Sequence, residues 1–230
     1  MVRGLPGRTE HATSHGSAPR RYGGTVGRMT ERVTAAYSAR ADEYATLLGS
    51  MDAVHPDDRA VVEAWAAGRS GPLVDVGCGP GHWTAHLARQ GHRVSGIDAV
   101  PEFVEHARRT HGAVDADIDF RVGSLDALPL ADGSVDGVLA WYSVIHHEPS
   151  RIRGALDEFR RVLAPGGGLL LGFFEGPAVE AFDHAVVTAY RWPVASLATL
   201  LDGAGFDVVD VHTRTAPGHR PHGAISAVRR

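Results

Sequence analysis

The stretch that most constrains this chain is Leu73–Trp83, LVDVGCGPGHW. Leu73, Val74 and Val76 form an apolar run suited to a buried strand. Gly77, Gly79 and Gly81 follow at alternate positions. They make a turn in which the backbone can reach positive φ and a ligand can approach without meeting a Cβ. From Gly81 the pattern turns helical, with Trp83, Leu87 and Ala88 on one face. Strand, glycine turn and helix N-terminus, in that order, form the ligand mouth of a doubly wound α/β sheet.

The glycine spacing narrows the ligand. A dinucleotide fingerprint, G-x-G-x-x-G, would place its third glycine at position 82, which is His82. Here it stands one place earlier, and Asp75 precedes the turn. The resulting D-x-G-x-G-x-G resembles motif I of the class I S-adenosylmethionine-dependent methyltransferases. The resemblance implies that Asp75, Gly77, Cys78, Gly79 and Gly81 hold S-adenosyl-L-methionine. That cofactor offers a carboxylate, an ammonium, a sulfonium and a ribose but no phosphate, and an acid at position 75 suits a cation. The plain structural alternative is a turn that only packs strand on helix.

A second strand, His92–Asp98, ends on an acid 21 residues after Gly77. A carboxylate there can accept from both hydroxyls of a ribose, with Ala99 beside it in the same contact. Asp98 also precedes a helix expected over 101–110, and a capping role is compatible with ribose binding. Ile118, Phe120 and Val122 alternate as a third strand. The following VGSLDALPLADGSVDGV resembles a segment of the ubiquinone/menaquinone-biosynthesis (type 11) branch of the family. Ser124 stands where that pattern carries Asp, so it would accept from the adenine amino group more weakly, with Asp126 two residues on. Leu125 would lie on the adenine face.

A fourth strand runs into Ala140-Trp141-Tyr142-Ser143-Val144-Ile145-His146-His147. Residues just past the carboxyl ends of such strands line the ligand crevice. Ala140 and Trp141 are therefore expected at the cofactor. Trp141 and Tyr142 can frame adenine and substrate or face a sulfonium. His146 is the candidate general base, with His147 second to it, against a surface or capping role for both. The Pro-Pro-aromatic signature of nucleic-acid amino-methyltransferases is absent at this point. Upstream, AAYSARADEYA resembles the family's Y-D-x-x-A-x-x-Y segment, which implies that Tyr37 closes over the cofactor. Simple packing of Tyr37 and Tyr44 on the sheet is the alternative.

The expected fold is α/β: a Rossmann-like, doubly wound, seven-stranded, mostly parallel sheet with an antiparallel last strand and an N-terminal helical cap. The resemblance implies the strand order 3-2-1-4-5-7-6. Residues 1–28 read as a disordered leader, 29–70 as the cap and 71–230 as the cofactor-binding core. Within the cap a helix is expected over 30–48 and a second over 56–67. Residues 176–192 carry little signal and are expected to shape part of the substrate pocket.

Composition removes several classes. A formal net charge of −4 does not favour nucleic acid or an anionic membrane surface. No apolar run approaches a membrane span, and a single cysteine, Cys78, fits a reducing cytoplasm. All 23 basic residues are arginine, so no lysine can act as a base, and the bias suggests a GC-rich bacterial genome. Among 14 histidines, His82 and His86 have metal-like spacing, but Trp83 replaces the acid of H-E-x-x-H and no metal is expected. The expected function is methyl transfer to a small, partly apolar acceptor, of the kind met in bacterial secondary metabolism. O, N and C acceptors and the oligomeric state stay open. The alternatives are a cyclase or binding protein that holds the cofactor without transfer, and an NAD(P)-dependent oxidoreductase.

Overall fold

The computed structural model describes residues 25–112 and 118–230. Most of the expected leader lies outside the described residues. From Thr25 the chain is already helical, ahead of the boundary expected at Met29. Two helices, α1 (Thr25–Ser38) and α2 (Ala41–Leu48), replace the single one expected over 30–48. The apolar stripe is continuous, but Arg40 leaves helical geometry at φ −127°, ψ 17°. The break keeps Tyr37 and Tyr44 edge-on at 5.4 Å while both rings reach Phe103. After a short 3₁₀ turn, Met51–Ala53, comes α3 (Pro56–Ala67), started by Pro56 and capped by the His55 ring, which accepts from Asp57 N–H.

The α/β frame follows in alternation: β1 (Leu73–Val76), α4 (His82–Arg89), β2 (Val94–Asp98), α5 (Pro101–His111), β3 (Phe120–Val122), β4 (Val135–Trp141), α6 (Ile152–Val162) and β5 (Leu163–Glu175). A hairpin, β6 (Glu180–Phe182) and β7 (Ala189–Trp192), precedes α7 (Val194–Gly203), β8 (Phe206–Arg214) and β9 (His222–Arg229). Strands β1 to β5 are parallel, β9 is antiparallel to β5, and β8 is antiparallel to β9. The frame therefore runs β3-β2-β1-β4-β5-β9-β8, the order the resemblance implies.

The sheet has nine strands rather than seven, because residues 180–192 add a hairpin. β4 pairs with β5 only as far as Trp141↔Gly172. Beyond that point β7 takes the vacated edge of β5, at Phe174↔Arg191 and Glu175↔Trp192, while β9 holds the other edge. The hairpin thus stands above the end of β4, at the mouth of the crevice.

Alternation along buried strands sends side chains to two apolar layers. Val74, Val76, Val138, Ala140, Leu169 and Leu171 pack with Leu156 and Phe159 of α6 and Leu197 and Leu201 of α7. Leu73, Leu139 and Leu170 pack on the other face with Trp65 of α3 and Trp83 and Leu87 of α4. The α6 residues Ile152, Ala155, Leu156, Phe159 and Val162 are wholly buried at helical spacing, which locks that helix against the sheet. Among the described residues no helix is long and apolar enough to cross a membrane.

Candidate active site

The turn after β1 has the backbone its glycines permit: φ is +71° at Gly77, +54° at Gly79 and +85° at Gly81. Each does a different job. A Cβ on Gly77 would lie 2.4 Å from Cβ of Ser143, so its absence lets the β4–α6 loop approach. At Gly79 nothing lies within 4 Å, and the bare backbone faces a cavity. Gly81 caps α4, and a Cβ there would meet Ala107 and Phe120 at 2.8 Å. It serves helix packing and does not line the cavity.

That cavity, about 720 Å³, lies over the carboxyl ends of β1, β2, β4 and β5. It is within the range of about 300–1,000 Å³ usual for small-molecule sites. Tyr37, Asp75, Gly77, Cys78, Gly79, Asp98, Ala99, Ser124, Leu125, Trp141 and His146 all line it. Ala140 does not: its methyl belongs to the core layer under α6, because it alternates with Trp141 along β4.

Two buried carboxyls sit under the glycine turn. Asp98 Oδ2 accepts from Gly79 N–H and Oδ1 from Val100 N–H, both at 2.8 Å. Burial outweighs these bonds and pushes the carboxyl from 3.8 up to about 6. Asp75 Oδ2 accepts from the Thr84 hydroxyl at 2.7 Å, tying β1 to the first turn of α4. Burial raises Asp75 to about 7, with Asp98 adding to the effect. A raised carboxyl contributes stability below its unfolded value, and that contribution is lost as pH rises through the folded one. For Asp75 the window is therefore pH 4 to 7. Asp75→Asn should leave the ligand-free protein unchanged near pH 4. Above pH 7 it should stabilise the protein by up to about 4 kcal/mol relative to the parent, read from denaturant midpoints across pH. A constant difference across pH would contradict the buried-carboxyl assignment.

The Cys78 thiol packs among Val104, Ala107 and Phe120, and burial pushes it well above its usual value, so it is a space-filler and not a nucleophile. Ser124 Oγ accepts from Asp126 N–H at 3.2 Å. Asp126 Oδ1 in turn meets His147 Nε2 at 3.1 Å. Burial opposes ionisation of Asp126, but the His147 hydrogen bond and the electrostatic attraction of His147 and Arg151 together outweigh it, and the carboxyl lies below its ordinary value. His86, paired with Glu63 at 2.7 Å, links α4 to α3.

The helical segment supplies the roof. Tyr37 Oη donates to His146 Nε2 at 2.8 Å, and His146 Nδ1–H donates to the Thr188 carbonyl at 2.8 Å. The two bonds fix the tautomer, and burial lowers the imidazole to about 4. His146 is therefore neutral near pH 7, with its lone pair directed at Tyr37.

Other cavity residues, among them Asp58, His184 and Arg214, carried no sequence signal of their own. Rings form an unbroken wall: Tyr44, Tyr37, His146, His184, Phe174, Tyr142, Trp141 and Trp83, each 5.0–5.9 Å from the next. Tyr142 sits in the left-handed region at φ 57°, where a bulky residue is strained, and its hydroxyl bonds His222 Nδ1. Arg214 of β8 pairs with Asp58 of α3 at 2.8 Å. The strain at Tyr142 and the pairing of residues 156 apart follow from tertiary placement, which no local pattern reports.

The residues fit S-adenosylmethionine. A bare glycine backbone and a buried carboxylate under it open on one cavity, with Ser143 beside them. Asp98 and the Gly77–Gly79 backbone would hold the ribose and amino-acid ends, with Leu125 and Trp141 beside the adenine.

Comparison with known proteins agrees with this geometry. A family model described as "Methyltransferase domain" matches residues 73–167, from β1 into the glycine turn of β5. The chain is 30% identical over 151 residues to an uncharacterized methyltransferase of Synechocystis, covering 61% of this chain and 68% of that one. It is 29% identical over 211 residues to a ubiquinone/menaquinone biosynthesis C-methyltransferase of Rubrivivax gelatinosus, covering 79% and 82%. Most curated relatives are longer, and the chain spans 40% to 57% of their length. Among solved structures, a Burkholderia thailandensis 1,6-didemethyltoxoflavin-N1-methyltransferase superposes with a TM-score of 0.71 at 22% identity, over 93% of this chain and 92% of that one. A glycine turn of this spacing, in this strand order and with this whole-length likeness, places the chain in the class I S-adenosylmethionine-dependent methyltransferase family.

Proposed function

We propose that this protein transfers a methyl group from S-adenosylmethionine to a small, partly apolar acceptor. One observation carries the reading: the glycine turn, the Asp98 carboxylate and the ring wall open into a single cavity. When bound, the cofactor supplies a methyl carbon on a sulfonium, open to in-line displacement. The chain's own work is to hold the acceptor in line and keep water out. The helices before β1 act as a cap, with Tyr37 and Tyr44 closing on Phe103 and His146. Calorimetric titration tests the reading: S-adenosylmethionine and S-adenosylhomocysteine should bind at micromolar levels and NAD(P) should not. A folded protein that binds neither of the first two overturns it.

His146 is the proposed catalytic histidine, acting as a couple with Tyr37. Its Nε2 is covered by the Tyr37 hydroxyl, so an acceptor proton reaches it through Tyr37 Oη. Tyr37→Phe and His146→Ala should each lower kcat by about 10–100-fold, and the double variant should be no worse than either. Steady-state kinetics with a competent acceptor checks this. Additive losses would mean that the two residues act separately.

A further inference from the structure

The helices α1 and α2 reach both sides of the cavity mouth. On one side they rest on α5. Ser38 Oγ donates to Glu102 Oε2 at 2.7 Å, and the rings of Tyr37 and Tyr44 lie 5.9 and 5.4 Å from Phe103. On the other side they meet residues 183–188, the loop between β6 and β7. Arg40 makes that contact from the break between α1 and α2, where the chain leaves helical geometry. Its Nε and Nη2 fork onto Glu43 at 2.9 and 2.8 Å, which aims the remaining Nη1 at the Ala185 carbonyl, to which it donates.

The loop is held by its backbone. Besides Ala185, the Asp183 carbonyl accepts from Arg220 Nη2 at 3.2 Å and the Thr188 carbonyl from His146 Nδ1 at 2.8 Å. Arg220 and His146 belong to the core. The hairpin below is fixed to the core as well, by β7 on β5 and by Tyr190 N–H donating to the Ile145 carbonyl at 2.8 Å. Of these three side-chain ties, the Arg40 one alone crosses to the helical cap. Beside it runs the Tyr37–His146 bond. The mouth therefore has a fixed side, the loop, and a side that can lift, the cap, joined onward through the short turn at 51–53. Arg40 does not line the cavity, so a ligand feels it only through the cap.

We infer that Arg40, oriented by Glu43, is the latch of this cap and sets the rates at which S-adenosylmethionine enters and S-adenosylhomocysteine leaves. The inference rests on the methyltransferase reading for the identity of the ligands; the latch itself is argued from the contacts between cap and loop. A latch that holds the cap shut with and without ligand slows entry and release by the same factor and cancels from the affinity. A residue that touches the ligand changes the affinity instead. The net worth of one such hydrogen bond corresponds to about a three- to tenfold change in rate.

Stopped-flow fluorescence tests it, with Trp83 and Trp141 in the cavity wall reporting S-adenosylhomocysteine binding and its release on chase with excess S-adenosylmethionine. Arg40→Met keeps the length of the side chain and removes its donors. It should raise both rates about three- to tenfold and leave the Kd within about twofold. Glu43→Gln should move both rates in the same direction by less. Arg220→Met, which frees the loop on its anchored side, should leave both within about twofold. Hydrogen exchange of the ligand-free protein gives a second readout: Arg40→Met should speed exchange over residues 31–48 and leave β1 and β4 unchanged. Unchanged rates in Arg40→Met, faster release with weaker affinity, unchanged exchange over 31–48, or a larger effect from Arg220→Met than from Arg40→Met would each overturn the latch. A parent protein that binds no S-adenosylhomocysteine, while Arg40→Met still speeds exchange over 31–48, would instead overturn the methyltransferase reading and leave the tie between cap and loop standing.

Discussion

Gly77→Ala is expected to lower the melting temperature by roughly 5–15 °C and to abolish measurable cofactor binding. Two costs add. An L residue in the left-handed region at φ +71° costs about 1–2 kcal/mol. The new Cβ would also lie 2.4 Å from Cβ of Ser143, and such overpacking costs about 1–3 kcal/mol more. Relief requires the β4–α6 loop to retreat, and that loop carries Tyr142, Ser143 and His146. Gly79→Ala is the internal comparison. Its φ of +54° carries a similar backbone penalty, but no atom lies within 4 Å of the added methyl. It should lose only about 1–2 kcal/mol of stability, while the methyl takes up space proposed for the cofactor and weakens S-adenosylhomocysteine tenfold or more. Thermal denaturation and calorimetry on the two variants check both halves. Equal melting temperatures for them would mean that Ser143 does not press on Gly77.

Asp98→Ala should weaken cofactor binding at least about 100-fold, since two hydrogen bonds from a ribose diol to a charged acceptor are each worth about 1.5–3 kcal/mol. The carboxyl also gives the binding a pH dependence. With the folded value at about 6, the ligand-free protein holds Asp98 largely protonated at pH 5 and ionised at pH 7. The acceptor form is thus lost as pH falls, and affinity should drop roughly tenfold per pH unit below 6. Asp98→Ala should flatten that slope between pH 5 and 7. Asp75→Asn should keep it, because Asp75 is engaged by Thr84 and not by Gly79. Titration of the three proteins across that range distinguishes the two acids. A parent affinity independent of pH, or Asp98→Ala binding as tightly as the parent, would remove Asp98 from the ribose.

What was legible in the sequence was what short stretches of backbone dictate. Gly77, Gly79 and Gly81 are needed for positive φ within one turn, and Asp98 follows from where the next parallel strand must end. α6 shows the same kind of local signal, with one face apolar at every third or fourth position. The hairpin at 180–192 was not, since β6 and β7 are three and four residues long and exist through pairing with the end of β5. The break between α1 and α2 was hidden under a continuous apolar stripe. Ala140 was expected at the cofactor from its place near the end of β4, and one further step of strand alternation turns it into the core. The Tyr37–His146, Tyr142–His222 and Asp58–Arg214 contacts join residues 80 to 156 positions apart, and only the folded sheet brings them together.

The β6–β7 hairpin has a consequence for how such a protein can change. It joins the parallel frame at only two residue pairs on β5, both beyond the last partner of β4. Trp192, at the end of β7, is buried in the core layer with Leu197 and Leu201, while His184, on the loop between β6 and β7, reaches the cavity. That arrangement makes the loop between β6 and β7 the replaceable part of the pocket. It can be lengthened, shortened or exchanged for a relative's segment while the cofactor half keeps its shape, so new acceptors become accessible by local replacement rather than by redesign of the sheet.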